Sequence, residues 1–285
     1  MAPTYAEIAA VGANWVAIHP YAGIRDDGSL RLWTEDWSWL RAPIEEAHAR
    51  GLQILIKPHL AYWGSGFSWR GEIRFDDAEQ KQRFERDYQR WIVDVAKATV
   101  GADAFAVGTE LDQTLVDERW WRAVIADVRE VNGAALTYAA NWTDYERVPF
   151  WDALDAIGIQ AYFPLSEAER PSEAELRQAW EERMRGLEAY AAQHQRPLVF
   201  TELGYSRTWS AARTPWLGNG DDPAAEDFQR TCLRVALEAV ERSDAVVGAF
   251  LWKWFPEPRP VGRDFQIATP GVREELRRSW LRSDR

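Results

Sequence analysis

Cysteine is nearly absent: Cys232 stands alone, so no internal disulfide can form, and its spacing from Phe228 and Val235 suits a small buried hydrophobe on a helix. The four histidines (His19, His48, His59 and His194) fall in no HExxH, CxxC or similar ligand spacing, so neither a metal site nor another cofactor is expected. No stretch approaches the roughly 18 apolar residues that a membrane span requires. The opening MAPTYAEIAAVGANW has neither the basic n-region nor the apolar h-region of a secretory signal, and a cytoplasmic location is expected from that. Basic residues are in the minority, 34 Lys and Arg against 45 Asp and Glu, for a formal net charge of −11. Phosphate recognition needs a basic surface, so nucleic acid and anionic membranes are poor partners and a neutral substrate is the better one.

What is abundant is tryptophan, 17 residues in a chain of 285. Core packing is the expected role for about two in three of them, the rest being available as flat platforms for sugar rings. A hydrophobic share of 46% and a charged share of 28% are those of an ordinary globular protein, and no repeat, charge block or flexible linker divides the chain. One α/β domain over residues 1–285 is expected, a size normal for a single barrel.

Seven short apolar runs read as buried parallel strands: NWVAIHP from Asn14, LQILIKPHL from Leu52, AFAVGTEL from Ala104, ALTYAANW from Ala135, LDAIGIQAYFPL from Leu154, PLVFTELGY from Pro197 and GAFLWKWF from Gly248. Between them the apolar spacing changes to three and four, as in Phe84, Tyr88, Trp91 and Val95, in Trp121, Val124, Ile125 and Val128, and in Trp180, Met184 and Leu187. Strands alternating with amphipathic helices predict a TIM-type (β/α) barrel. The stretch Tyr5 to Val11 reads as a helix before the first run, which leaves seven strands where a full barrel has eight. The longest irregular stretches, Ala61 to Asp77 and Ser210 to Asp227, each follow a strand and are candidate substrate walls.

Several runs end in polar residues that a buried strand does not otherwise favour: Lys57 and His59, Glu110, Asn141, Gln160 and Tyr162, Glu202, and Lys253. Two are carboxylates in similar settings, VGTEL and FTELGY, 202 − 110 = 92 residues apart. A glycosidic bond needs such a pair, one acid to protonate the leaving oxygen and one carboxylate to attack or stabilise the oxocarbenium-like carbon. Either glutamate alone could equally cap a helix or pair with a structural cation. Their occurrence at matching strand ends, among aromatic and amide neighbours, favours catalysis. Asp112 and Asp155 are read as structural.

The chain resembles glycoside hydrolase family 113, a clan A family of (β/α)8-barrel enzymes that includes β-1,4-mannanases. The resemblance runs through VGANWVAIHP, AHARGLQILIKPH, WRGEI, VGTEL, LTYAANW, FWDALDAIGIQAYFPL, PLVFTELGY and the late pair Trp252 and Trp254. It implies Glu110 as acid/base and Glu202 as nucleophile of a retaining mechanism, whose two carboxyl groups stand roughly 5–5.5 Å apart. Thr109 precedes Glu110 where most of the clan has Asn, and family 113 shares the Thr. The family barrel has a strand before the helix that leads into GANW, and this sequence begins at that helix, so the first strand is expected to be missing.

On this reading Tyr162 hydrogen-bonds the nucleophile. Lys57, His59 and Asn141 contact sugar hydroxyls, and Trp252 is the stacking platform, with Trp142, Trp63 and Trp69 next and one of those three expected to be structural. The expected function is a retaining endo-β-1,4-mannanase-like hydrolase acting on a carbohydrate substrate. Two rivals stay open: an exo-acting β-glycosidase of other sugar specificity, and a non-catalytic sugar-binding barrel.

Overall fold

The computed structural model describes residues 2–218, 220–255 and 265–281. In chain order the elements are helix α1 (Ala2–Ala9), strands β1 (Trp15–Ile18), β2 (Tyr21–Ile24) and β3 (Leu30–Leu32), α2 (Arg41–His48), β4 (Gln53–Ile56), β5 (His59–Ala61), α3 (Ala78–Ala98) and β6 (Ala104–Thr109). They continue with α4 (Glu118–Val131), β7 (Ala135–Asn141), β8 (Ile157–Gln160), α5 (Glu173–His194), β9 (Leu198–Leu203), α6 (Glu226–Arg242), β10 (Val246–Leu251) and α7 (Pro270–Trp280). The seven-stranded parallel sheet follows chain order, β1-β4-β6-β7-β8-β9-β10, and a separate three-stranded sheet has the order β3-β2-β5. The chain divides into two compact units, Trp15–Gly158 and Met1–Asn14 with Ile159–Arg285.

In the first unit, β1 and β4 pair in parallel from Trp15↔Gln53 to Ile18↔Ile56. Both strands then meet a proline, Pro20 and Pro58, which has no N–H to give to a ladder. The chains stay neighbours beyond it, but in the small sheet, where Tyr21↔His59, Ala22↔Leu60 and Gly23↔Ala61 are in register. The run from Leu52 is therefore two strands rather than one, and His59 belongs to the second.

Helices α3, α4 and α5 each begin on a side chain that accepts from the first turn: Asp77 from Gln80 N, Asp117 from Trp120 N, and Ser172 from Glu175 N in a full capping box. Their apolar faces pack as the spacing predicts, with Phe84, Tyr88, Trp91 and Val95 buried on α3 and Trp121, Val124, Ile125 and Val128 on α4. Behind β6 and β7 the rings of Tyr88, Trp121, Tyr138 and Phe150 interlock, with Trp121 at 5.2 Å from Tyr138 and 5.4 Å from Phe150. Gly108 lets β6 approach this cluster, since a Cβ there would stand 2.5 Å from the Trp121 ring and 2.8 Å from Tyr138.

In the second unit β9 and β10 pair in parallel with two register shifts, and Trp180 of α5 packs on Phe200 of β9 at 6.0 Å. Helices α5 and α6 are laced by Glu173, Arg177, Arg234 and Glu238. Strand β8 is shorter than the run from Leu154, because Tyr162 N turns back onto Gln160 O at 2.9 Å and ends the regular ladder. Cys232 is buried in α6, and burial pushes its thiol up to about 12, which leaves it inert at neutral pH. Of the 17 tryptophans only six are buried (Trp37, Trp91, Trp120, Trp121, Trp151 and Trp180), fewer than the composition suggested, and four are exposed (Trp33, Trp39, Trp63 and Trp216).

Gly108→Ala is expected to lower unfolding stability by about 1–3 kcal/mol, because neither buried ring has room to retreat. Urea denaturation monitored by tryptophan fluorescence checks this, and an unchanged midpoint would contradict the packing described.

Candidate active site

Glu110 stands just past the end of β6, and the backbone there is held from three sides. Thr109 Oγ1 donates to Pro58 O at 3.0 Å, Glu110 N donates to Ala139 O at 2.9 Å, and Leu111 N donates to the buried Tyr138 Oη at 2.8 Å. Within this clamp Glu110 adopts a φ of 50°, the left-handed region that a residue with a Cβ rarely enters. Such conformations collect at functional sites, where surrounding contacts enforce them.

The carboxylate of Glu110 has Arg70 Nη1 as donor at 3.4 Å, and the same guanidinium nitrogen lies 3.1 Å from His59 Nδ1. Arg70 opens a short 3-10 turn, Arg70–Glu72, in the irregular stretch after β5. His59 is buried, and desolvation, then the charges of Arg70, His19 and Lys57, hold its pKa well below the ordinary imidazole value. It is therefore neutral, and because arginine only donates, Nδ1 is the acceptor and Nε2 carries the hydrogen.

Other residues singled out in the sequence fall in the same unit. Lys57 is fully buried at the end of β4, with its backbone N–H on Ile18 O at 2.9 Å. Asn141 closes β7 and is half-buried; its Oδ1 accepts from Thr143 N at 3.4 Å. Trp142 beside it is half-buried, Trp69 folds back over Gly71, and Trp63 is 68% exposed and stacks on Tyr21. Asp155 accepts from Leu136 N at 2.7 Å and pairs with Arg129 at 3.0 Å, the contacts of a strand-start tether.

Asp112 is unusual for a residue read as structural. It is 3% exposed, and neither carboxyl oxygen has a hydrogen-bond donor among the described residues. Burial, followed by the like charges of Asp144 and Glu110, pushes its pKa up to about 8, with Arg147 opposing.

The second unit holds Glu202, 5% exposed on β9. Tyr162 Oη donates to Glu202 Oε2 at 2.6 Å, a short, charge-assisted bond, and Ala161 N donates to the Glu202 carbonyl at 2.7 Å. Thr201 Oγ1 donates to Gln160 Oε1 at 3.0 Å, which ties the ends of β8 and β9 together. Trp252 follows β10, with its N–H on Leu203 O at 2.9 Å and Lys253 Nζ 5.2 Å from its ring centre. Gly204 makes this approach possible, since a Cβ there would meet Trp252 O at 2.3 Å.

The sequence pattern of glycoside hydrolase family 113 matches residues 6–261, most of the chain. The chain belongs to glycoside hydrolase family 113. A family 113 β-mannanase from Alicyclobacillus acidocaldarius, solved in complex with ManMIm, superposes with a TM-score of 0.83 at 24% identity, over 98% of this chain and 91% of that one. A second family 113 β-1,4-mannanase, solved as a complex, has a TM-score of 0.84 at 20% identity, covering 98% and 92%. A β-glucuronidase from an uncultured Clostridium is more distant, with a TM-score of 0.67 at 13% identity over 46% of its length. No curated protein sequence matches significantly. The fold is the TIM-type barrel fold of the family 113 enzymes, with seven parallel strands among the described residues, and the protein is a glycoside hydrolase.

In this family 113 chain the contact of Arg70 with Glu110 is the feature that sequence reading missed. Arg70 lies inside the WRGEI segment, but it sits in a loop rather than at a strand end, so no periodicity points it at Glu110.

Asp112 generates a pH prediction. Its folded pKa is raised, so the native state holds a proton that the unfolded chain has already lost, and the resulting cost grows as pH rises from about 4 to about 8. Asp112→Asn is therefore expected to gain stability relative to the parent across that window, on the order of a few kcal/mol at its upper end. Chemical denaturation at several pH values reads this directly; a pH-independent difference would contradict it.

Proposed function

We propose that this glycoside hydrolase is a retaining endo-β-1,4-mannanase with Glu202 as nucleophile and Glu110 as acid/base. The observation that carries the division of roles is the different company of the two carboxylates. A nucleophile must be ionised and held in one orientation, and the 2.6 Å bond from Tyr162 to buried Glu202 favours both. An acid/base must hold and release a proton within one cycle. Arg70, 3.4 Å from Glu110, stabilises the carboxylate left behind once the proton has passed to the leaving oxygen. The mannan preference rests on the family 113 relatives, which are β-mannanases.

In the first step Glu202 attacks the anomeric carbon while Glu110 gives its proton to the departing oxygen, and a glycosyl ester forms on Glu202. In the second, Glu110 takes a proton from water, which attacks the same carbon, releases the sugar with its original configuration and restores both groups. Lys57, His59 and Asn141 serve the sugar hydroxyls in this reading, and Trp252 supports the ring at the reacting bond, with Trp142, Trp63 and Trp69 as further candidate platforms.

Glu202→Ala is expected to lose at least 10³-fold in kcat, in line with the removal of a nucleophile that acts as a unit with its partner. Azide should restore turnover by forming a glycosyl azide of inverted configuration. Retained hydrolysis in the variant would refute the role of Glu202, and attack confined to chain ends of β-mannan would refute the endo assignment.

A further inference from the structure

Two of the four exposed tryptophans, Trp33 at 50% and Trp63 at 68%, border the three-stranded sheet β3-β2-β5. Side chains two residues apart on a strand share a face, and partners in register share it across strands. Gly23 is in register with Arg31 on one side and Ala61 on the other, and Tyr21 with His59. One face of this sheet therefore carries Tyr21, Gly23, Arg31, His59 and Ala61. The indoles lie on that face. Trp33 covers Gly23, where a Cβ would be 3.6 Å from its ring, and Arg31 stands 5.9 Å from the Trp33 ring centre. Trp63 stacks on Tyr21 with centres 5.9 Å apart and planes inclined by 26°, and Tyr21 in turn meets His59 edge-on at 5.4 Å.

The face thus begins at His59, which shares Arg70 with Glu110, and runs outward through Tyr21 to two indoles that solvent reaches. Paired, exposed aromatic plates with a guanidinium beside them match a ligand with flat apolar faces and hydroxyl edges. We infer that this sheet face is a remote stacking site for the pyranose units of a β-linked polysaccharide chain whose reacting bond lies at Glu110. Its function is to hold long substrates, and it rests on the function proposed above. The continuity of the face with His59 and Arg70 commits the site to the substrate chain rather than to a second copy of the protein.

Trp33→Ala and Trp63→Ala, made separately, are the variants to compare, with Trp39→Ala as the control, an exposed tryptophan outside the sheet. For Trp33→Ala and Trp63→Ala the ratio of kcat/KM on mannohexaose to that on mannotetraose should fall by about tenfold, the scale of one aromatic stacking contact. Trp39→Ala should leave that ratio unchanged. Native gel electrophoresis through soluble β-mannan supplies a readout without turnover, in which the parent should be retarded and both variants released. An unchanged ratio together with unchanged retardation overturns the site, as does dimerisation that Trp33→Ala abolishes without any change in the ratio. A parent that is retarded but hydrolyses nothing overturns the proposed function alone. A parent neither retarded nor active overturns both.

Discussion

Glu110 leaves its strand through a left-handed backbone turn, and much of the first unit exists to make that turn tenable. An L-residue in this conformation is disfavoured by about 1–2 kcal/mol. The flanking hydrogen bonds, from Thr109 to Pro58, from Glu110 to Ala139 and from Leu111 to Tyr138, are each worth about 0.5–1.5 kcal/mol net and offset it. The Tyr138 oxygen is held in place to accept by a ring packed among Trp121, Phe150 and Trp151, and that packing in turn depends on the bare Cα of Gly108. Core aromatics and the backbone at Glu110 are one construction here: the side chains that stabilise the unit also hold the glutamate's turn.

Glu202 is held on different terms. It lies inside β9, where the pairing with β10 shifts register but the backbone needs no left-handed turn, and its orientation comes from the side chain of Tyr162, delivered where β8 turns out of its ladder. One carboxylate thus faces a guanidinium and the other a phenol. Chemically similar groups given unlike partners can take unlike roles in a single reaction, and acid/base and nucleophile are such roles. The buried carboxyl of Asp112, with its pKa near 8, adds a third titrating group beside Glu110.

The strand and helix alternation, the buried faces of α3, α4 and α5, the opening helix and the strand-end positions of both glutamates were legible in the sequence because each is a local signal: a period, a cap or a polar residue ending an apolar run. The split of the run from Leu52 was legible only in hindsight. Pro58 marks the break, but the strand beyond it is defined by pairing with Tyr21–Ile24, a non-local fact. Arg70 escaped for the same reason, since nothing in a loop's composition says which carboxylate it meets. The tryptophans misled by number. A high count suggests core, yet the fold leaves several at half-burial and four at the surface, where burial was never their use.

The central claim, two displacements in succession at one carbon, the first by Glu202 and the second by water, is tested most directly by the configuration of the first product. Proton NMR of a β-manno-oligosaccharide digest, recorded before mutarotation, should show the β anomer appearing first and the α anomer only later, by equilibration. Initial formation of the α anomer would mean a single displacement by water, and would contradict a covalent intermediate on Glu202.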